Sequence, residues 1–197
     1  MRKFLPLFYL LTFILSANAQ DIQRKQLIAS RITSNIHIDG ILNEPEWADV
    51  AEATDFTQFQ FVYGKPSAYA TSIKVMYDNT AIYIGATMYD PHPDSIQKDL
   101  AARDEFGSAD FIGIIMDPYQ EGVNGIEFFV TASGVQAEAK TYPNSDNGED
   151  FTWDAVWVSA AKITEKGWIA ELKIPFSAIR FPNKDEQSWY INFVREV

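Results

Sequence analysis

Apolar and polar positions alternate with a period of two along most of this 197-residue chain, and the alternation breaks at short clusters of Gly, Pro, Asn and Asp. Strands that bury one face and are joined by tight turns produce this pattern. It is sharpest at residues 153–176. Two β-rich apolar runs, 156–163 and 168–174, flank Thr164, Glu165, Lys166 and Gly167, whose charge and glycine predict a hairpin turn. In the second run Trp168, Ala170, Leu172 and Ile174 share one face, and Glu171 and Lys173 share the other. A half-buried strand is expected, ended by Pro175, which cannot donate to a ladder.

The same reasoning extends along the chain. Residues 71–90 predict a second hairpin, with Ile73, Val75 and Tyr77 on one face, Asp78, Asn79 and Thr80 in the turn, and Ile82, Ile84 and Ala86 on the return. Residues 109–116 are almost continuously apolar, as in a central strand covered on both sides. Residues 125–132 and 135–141 pair around Ser133 and Gly134, and 188–195 make a last strand. Asp39 and Gly40 form a turn, Asn43 is a candidate N-cap, Pro45 fits a first helical turn, and Trp47 with Val50 packs a short helix onto the core. Residues 55–62 read as a strand whose inward face is uncertain, because its aromatics change phase. Pro91, His92 and Pro93 break the sheet, 94–104 is a polar crossing, 143–150 a turn-rich acidic loop, and 176–179 a short helical turn. Nine or ten strands with little helical periodicity predict an all-β fold, an antiparallel β-sandwich with short helical turns. An up-and-down barrel is the alternative.

Composition narrows the function. Residues 1–19 read as a secretory signal: Arg2 and Lys3, an apolar core over 4–15, and Ala17-Asn18-Ala19 as an A-x-A cleavage site. That apolar core is shorter than the roughly 20 residues a membrane span needs. Export is therefore expected, to the periplasm, the outer membrane or the medium. Residues 20–31 form a lead-in, and 32–197 one domain whose last strand runs to Val197, as in a piece of a longer polypeptide. The whole chain carries a formal charge of −11 and, without Arg2 and Lys3, 14 basic against 27 acidic groups. Nucleic acid and anionic membrane surfaces are disfavoured partners. With no cysteine, disulfides and thiolate sites are excluded.

Aromatic residues make up 14% of the chain, which suits a surface facing carbohydrate. Sugar recognition needs flat rings against C–H faces and planar polar groups against hydroxyls. Trp153 and Trp157 have the same parity and are bordered by Asp150, Asp154, Asn144 and Asn147. They are the first candidates, with core packing as the competing reading of each. Phe106, Tyr119 and Tyr142 lie at strand ends, with Arg103, Asp104 and Glu127 as polar partners. Trp47, Trp168 and Trp189 are assigned to packing. A structural calcium would need several loop oxygens, which Asn144, Asp146, Glu149 and Asp150 can supply, although their spacing departs from the EF-hand loop and a solvated acidic turn competes. Asp110 and Asp117 bracket the central strand, as further metal ligands or as turn caps. His37 and His92 have no neighbouring nucleophile motif, and no spacing singles out a carboxylate pair, so binding is expected rather than catalysis.

Five segments in order, IDGILNEPEW (38–47), IKVMYDNTAIYIGATMYD (73–90), SADFIGIIMDP (108–118), FFVTASG (128–134) and GWIAELKIPFSAIRF (167–181), resemble the family 9 carbohydrate-binding domains. WDAVW followed by GWIAELKIPFSAIRFP and WYINFVRE is similar to the amino-terminal sandwich of long exported bacterial proteins. There such a domain precedes a large carboxy-terminal region of the DUF5916 type, an outer-membrane β-barrel. The resemblance covers about residues 32–197. It implies a β-sandwich that binds poly- or oligosaccharides, with structural calcium, and a site in which two Trp rings hold a sugar between acidic and basic side chains. The chain departs from that site: Phe106 and Gly107 stand where the first Trp is expected, Gly113 where the strand presents an acid, and Phe129 where it presents an Arg. An interaction or plug-like domain of an outer-membrane barrel protein, without sugar binding, is the alternative. It predicts buried rings and an unpaired sheet edge near Val197; an intrinsic glycoside hydrolase ranks last.

Overall fold

The computed structural model describes residues 24–143 and 148–197. The signal reading of 1–19 lies outside the described residues, as do Asn144, Asp146 and Asn147. The strands are β1 (Ser30–Arg31), β2 (Glu52–Ala53), β3 (Thr71–Tyr77), β4 (Ala81–Tyr89), β5 (Phe111–Asp117), β6 (Gly125–Thr131), β7 (Gln136–Thr141), β8 (Glu149–Asp150), β9 (Val158–Thr164), β10 (Gly167–Pro175) and β11 (Tyr190–Glu196). One sheet has the order β1-β3-β4-β10-β9 with β2 also on β3, and the other β11-β5-β6-β7-β8. The short β1 runs parallel to β3, and every other pairing is antiparallel. Two separate sheets make a sandwich, not a barrel.

The period of two carries directly into the core. Ile73 and Val75 on β3, Ile82, Ile84, Ala86 and Met88 on β4, and Trp168, Ala170, Leu172 and Ile174 on β10 meet Ile112, Ile114 and Met116 on β5 and Phe128 and Val130 on β6. Each large side chain sealed there contributes about 1.5–3 kcal/mol. The β9–β10 hairpin has the expected turn and ends at Pro175. Short 3₁₀ turns stand at Pro45–Trp47, Pro93–Ser95 and Phe176–Ala178.

Three expectations are corrected. Residues 55–62 are not a strand: beyond an isolated bridge from Thr57 to Pro66 they form a loop, in which Asp55 and Phe61 have φ of 56° and 60°. Beyond Phe56, which packs on Phe193 at the edge of the core, their aromatics have no layer to pack against, so the alternation has no face to bury. Asn43 is not a cap; Glu44 holds that position without a side-chain capping bond. The outer face of β10 is not solvated. Residues 32–50 cross it, and Ile32, Ile36, Trp47 and Val50 pack on Met76, Ala81 and Tyr83 in a second cluster.

Glu171 is sealed beneath that cover. It accepts the N–H groups of Asp39 (3.0 Å) and Gly40 (3.1 Å) and Nε1–H of Trp47 (3.3 Å), which pins the turn to the sheet. Burial pushes its carboxyl above the usual range, against those N–H bonds, which pull it down.

Asp78 shows the opposite balance. Desolvation would raise its pKa, but its carboxylate accepts the N–H and hydroxyl of Thr80, the N–H of Ala81 and the Tyr83 hydroxyl, which together lower it to about 2. Because the folded value lies below the unfolded 3.8, the stabilisation is complete above pH 3.8 and disappears as pH falls toward 2. Asp78→Ala should therefore flatten the acid limb of stability against pH. Urea midpoints measured from about pH 5 to 2 check this, and an unchanged slope would refute it.

Candidate functional site

Residues 151–157 pass from β8 to β9, and so from one sheet to the other along the edge of the sandwich. What fastens them is the alternation Gln136-Ala-Glu138-Ala-Lys140 on β7. Register sets Gln136, Glu138 and Lys140 opposite Val130, Phe128 and Ile126, on the inward face of the sheet. At the centre of a sheet these would be buried charges; at this edge they meet the crossing segment. Glu138 is wholly buried and accepts the Ala155 N–H (2.9 Å), Trp157 Nε1–H (3.0 Å) and Arg103 Nη2–H. A carboxylate with three donors and a paired charge avoids the penalty of an isolated buried ion.

Arg103 continues the network outward. Its Nη1 donates to Gln136 Oε1 (2.8 Å) and Nη2 to the Ala155 carbonyl (3.2 Å), and Gln136 Nε2 donates to Ser159 Oγ (2.9 Å). Asp104, at φ 66°, accepts the Glu138 N–H (3.2 Å), and its own N–H bonds the Gln136 carbonyl, so residues 103 and 104 are docked on β7. Together Arg103, Gln136, Ser159 and Val158 line a shallow hollow, with an edge of Trp157 at its wall. The Arg103 side chain is 41% exposed there. Planar donors and acceptors held in a row beside apolar atoms can bond vicinal hydroxyls.

The structure thus gathers Arg103, Asp104, Trp153 and Trp157 along one edge. Trp157 is 6% exposed and packs edge-on against Phe128, so it is a core residue rather than an open platform. Trp153 is half-buried against Phe128, with Lys140 Nζ 4.5 Å over its ring. Other candidates lie elsewhere. Phe106 is half-buried on the outer face of β5 and β6, where it meets Phe111, Phe129 and Phe151. There a Cβ on Gly113 would stand 2.6 Å from the Phe129 ring, so that face is filled by aromatic carbon. Tyr119 is exposed in the turn after β5, at the opposite end of that strand, and Tyr142 is exposed just past β7.

Glu127 is a correction: at 3% exposure it is buried, not a surface partner for hydroxyls. It sits in mid-strand, accepts the Thr141 hydroxyl and faces Glu149; burial first, and that second carboxylate, push its carboxyl up. Of the metal candidates, Asp110, Asp117 and Asp150 are described, and each is bonded within the protein. Asp117 spends one oxygen on the Tyr119 N–H and the other on the Gly122 N–H, and Asp150 bonds the N–H and hydroxyl of Thr152. Asp110 accepts the Gln97 N–H in the field of Arg195. Among the described residues no group of three or more His, Cys, Asp or Glu is placed to hold a metal ion. Asp117 and Asp150 are turn caps.

Sequence reasoning missed Glu138, Gln136, Ser159 and Lys140. The available signal was polar residues alternating with alanine over 136–140, which marks a strand with one polar face and leaves its direction to the sheet register.

The model of the carbohydrate family 9 binding domain-like family matches residues 38–193. A carbohydrate-binding module of family 9 from Caldicellulosiruptor kristjanssonii, solved with glucose, superposes with a TM-score of 0.55 at 15% identity over 85% of this chain and 76% of its own. The module with cellotriose gives 0.55 at 16%, over 85% and 75%. A candidate carbohydrate-binding protein from Bacteroides uniformis gives 0.65 at 11%, over 85% and 81%. These likenesses show a shared fold. No curated protein matches the sequence. With its family model spanning most of the described domain and the sandwich in place, the chain belongs to the carbohydrate family 9 binding domain-like family.

Proposed function

We propose that the protein is an exported, non-catalytic carbohydrate-binding domain that holds a poly- or oligosaccharide in the edge hollow of Arg103, Gln136 and Ser159. One observation carries this reading: a guanidinium, an amide and a hydroxyl are hydrogen-bonded into a fixed row that remains open to solvent. Fixing them beforehand lowers the ordering cost of binding. Export rests on residues 1–19, and the similarity of 153–197 to longer exported proteins supports a role beside a larger outer-membrane region.

Glucose and cellotriose, the ligands of the solved family 9 module, are the first to try. A glycan array and titration calorimetry, each run with calcium and with a chelator, should show retention. Gln136→Ala with Ser159→Ala should weaken it about tenfold while leaving thermal unfolding within a few degrees. No retention on any glycan in either condition would sink the proposal.

A second reading, an interaction domain without sugar binding, is favoured by the aromatic filling around Gly113 and Phe129. The edge of β11 away from β5 also pairs with no strand among the described residues. Capture of glycan by the parent but not by the Gln136 and Ser159 double variant decides against it.

A further inference from the structure

Residues 57–66 project from the sandwich as a loop that the carbohydrate reading does not use. Phe61 is wholly exposed, Phe59 and Tyr63 nearly so, and Val62 is exposed beside them. Phe59 and Tyr63 meet edge to face at 63°, so they form no flat platform for a sugar ring. Packing fastens only the base, where Phe56 meets Phe193. The tip carries its apolar groups outward, rather than lining a hollow that could receive a protein segment.

Two features identify the surroundings this tip suits. Its backbone is partly satisfied from within: Gln58 N–H bonds the Lys65 carbonyl (2.7 Å), Gly64 N–H the Gln58 carbonyl (2.9 Å), Val62 N–H the Gln60 carbonyl (2.7 Å), and Lys65 N–H the Val62 carbonyl (3.3 Å). Below it, Ser67 N–H closes on the Phe56 carbonyl. A segment that supplies acceptors to some of its own N–H groups lowers the cost of shallow insertion at the hydrated headgroup level, where the remaining groups keep water. The second feature is charge. Residues 56–77 contain no Asp or Glu in a chain that holds 27, and the loop has Lys65 at its base. Aromatic rings at a tip with a cation behind them match the boundary between acyl chains and phosphates.

We infer that the 57–66 loop is a lipid-docking tip, inserting Phe59, Phe61 and Tyr63 into the interface of a zwitterionic bilayer while Lys65 meets its phosphates. One shallow aromatic tip gives reversible attachment, of the kind that becomes firm when a second anchor acts. The inference is independent of the sugar site, because the loop shares none of its residues.

Flotation of the full chain with pure phosphatidylcholine vesicles tests it. The parent should float with the vesicles and continue to do so in about 0.5 M salt, since an apolar contact is not screened. Phe59→Ser with Phe61→Ser should lower the partition about tenfold or more. Phe61→Ser alone, at a wholly exposed position, should lower it several-fold with unchanged thermal unfolding. Adding about 30% phosphatidylglycerol should weaken attachment, because the acidic body is repelled. No flotation, or flotation unaffected by either variant, would overturn the inference. So would an oligomer of the parent that the variants dissociate without any vesicle binding, which would assign the tip to a protein contact.

Discussion

Glu138→Ala should lower the unfolding free energy by about 3–5 kcal/mol, a drop in Tm of about 10 °C or more. The loss is large because the carboxylate is wholly buried and three donors depend on it: Ala155 N–H, Trp157 Nε1–H and Arg103 Nη2–H. Two of these are left inside the protein without an acceptor, and the guanidinium loses its counter-charge. Arg103 is partly exposed and can turn toward water, which holds the effect toward the lower end of the range. The crossing segment 151–157 should also open, so limited proteolysis should cut there first. Glu138→Gln keeps the shape but brings an NH₂ group against existing donors, and an intermediate loss is expected. Urea unfolding within about 1 kcal/mol of the parent for the alanine variant would remove Glu138 as the fastener of this edge.

Gly167→Val should cost about 3 kcal/mol or more, for a different reason. Gly167 begins β10 at φ +131° and pairs with both Thr164 and Tyr89. A Cβ there would overlap the Met88 carbonyl oxygen and lie 2.7 Å from Asp90 N. Both are backbone atoms of the central hairpin and cannot swing aside as a side chain can. The turn bond from Asp90 N–H to the Lys166 carbonyl (2.9 Å) would have to move as well. Gly134→Ala is the control: its φ is +86° but open space surrounds it, so about 1–2 kcal/mol of backbone strain is expected without a clash. Calorimetric unfolding of both variants checks this, and equal losses would show that the contact with Met88 is not what makes the position demand glycine.

The strands were legible because their signal is local. Trp168, Ala170, Leu172 and Ile174 announce a buried face by spacing alone, and all four are sealed in the core. Tight turns at Asp78 and at Glu165 and Lys166 carry their own chemistry, side-chain acceptors in one and charge beside glycine in the other. Residues 55–62 misled because alternation shows only that a strand would be amphipathic, not that a partner layer exists. Glu171 misled for the converse reason. A glutamate on the face opposite the core reads as solvated, until residues 32–50 lie across it and supply three N–H donors from more than 120 residues away.

The candidate site divides in the same way. Arg103, Asp104, Trp153 and Trp157 could be picked out by type and position, but their grouping depends on Glu138. Glu138 alternates with alanines and resembles any solvated strand residue until the sheet edge is known. What residue order alone determined is the all-β class, the boundaries of the longer strands to within a few positions and the family, since periodicity, turn chemistry and ordered motifs are properties of neighbours in sequence. Which polar groups are buried, which rings are sealed and which edge stays open was decided only by packing one sheet on the other, because burial depends on what arrives from elsewhere in the chain.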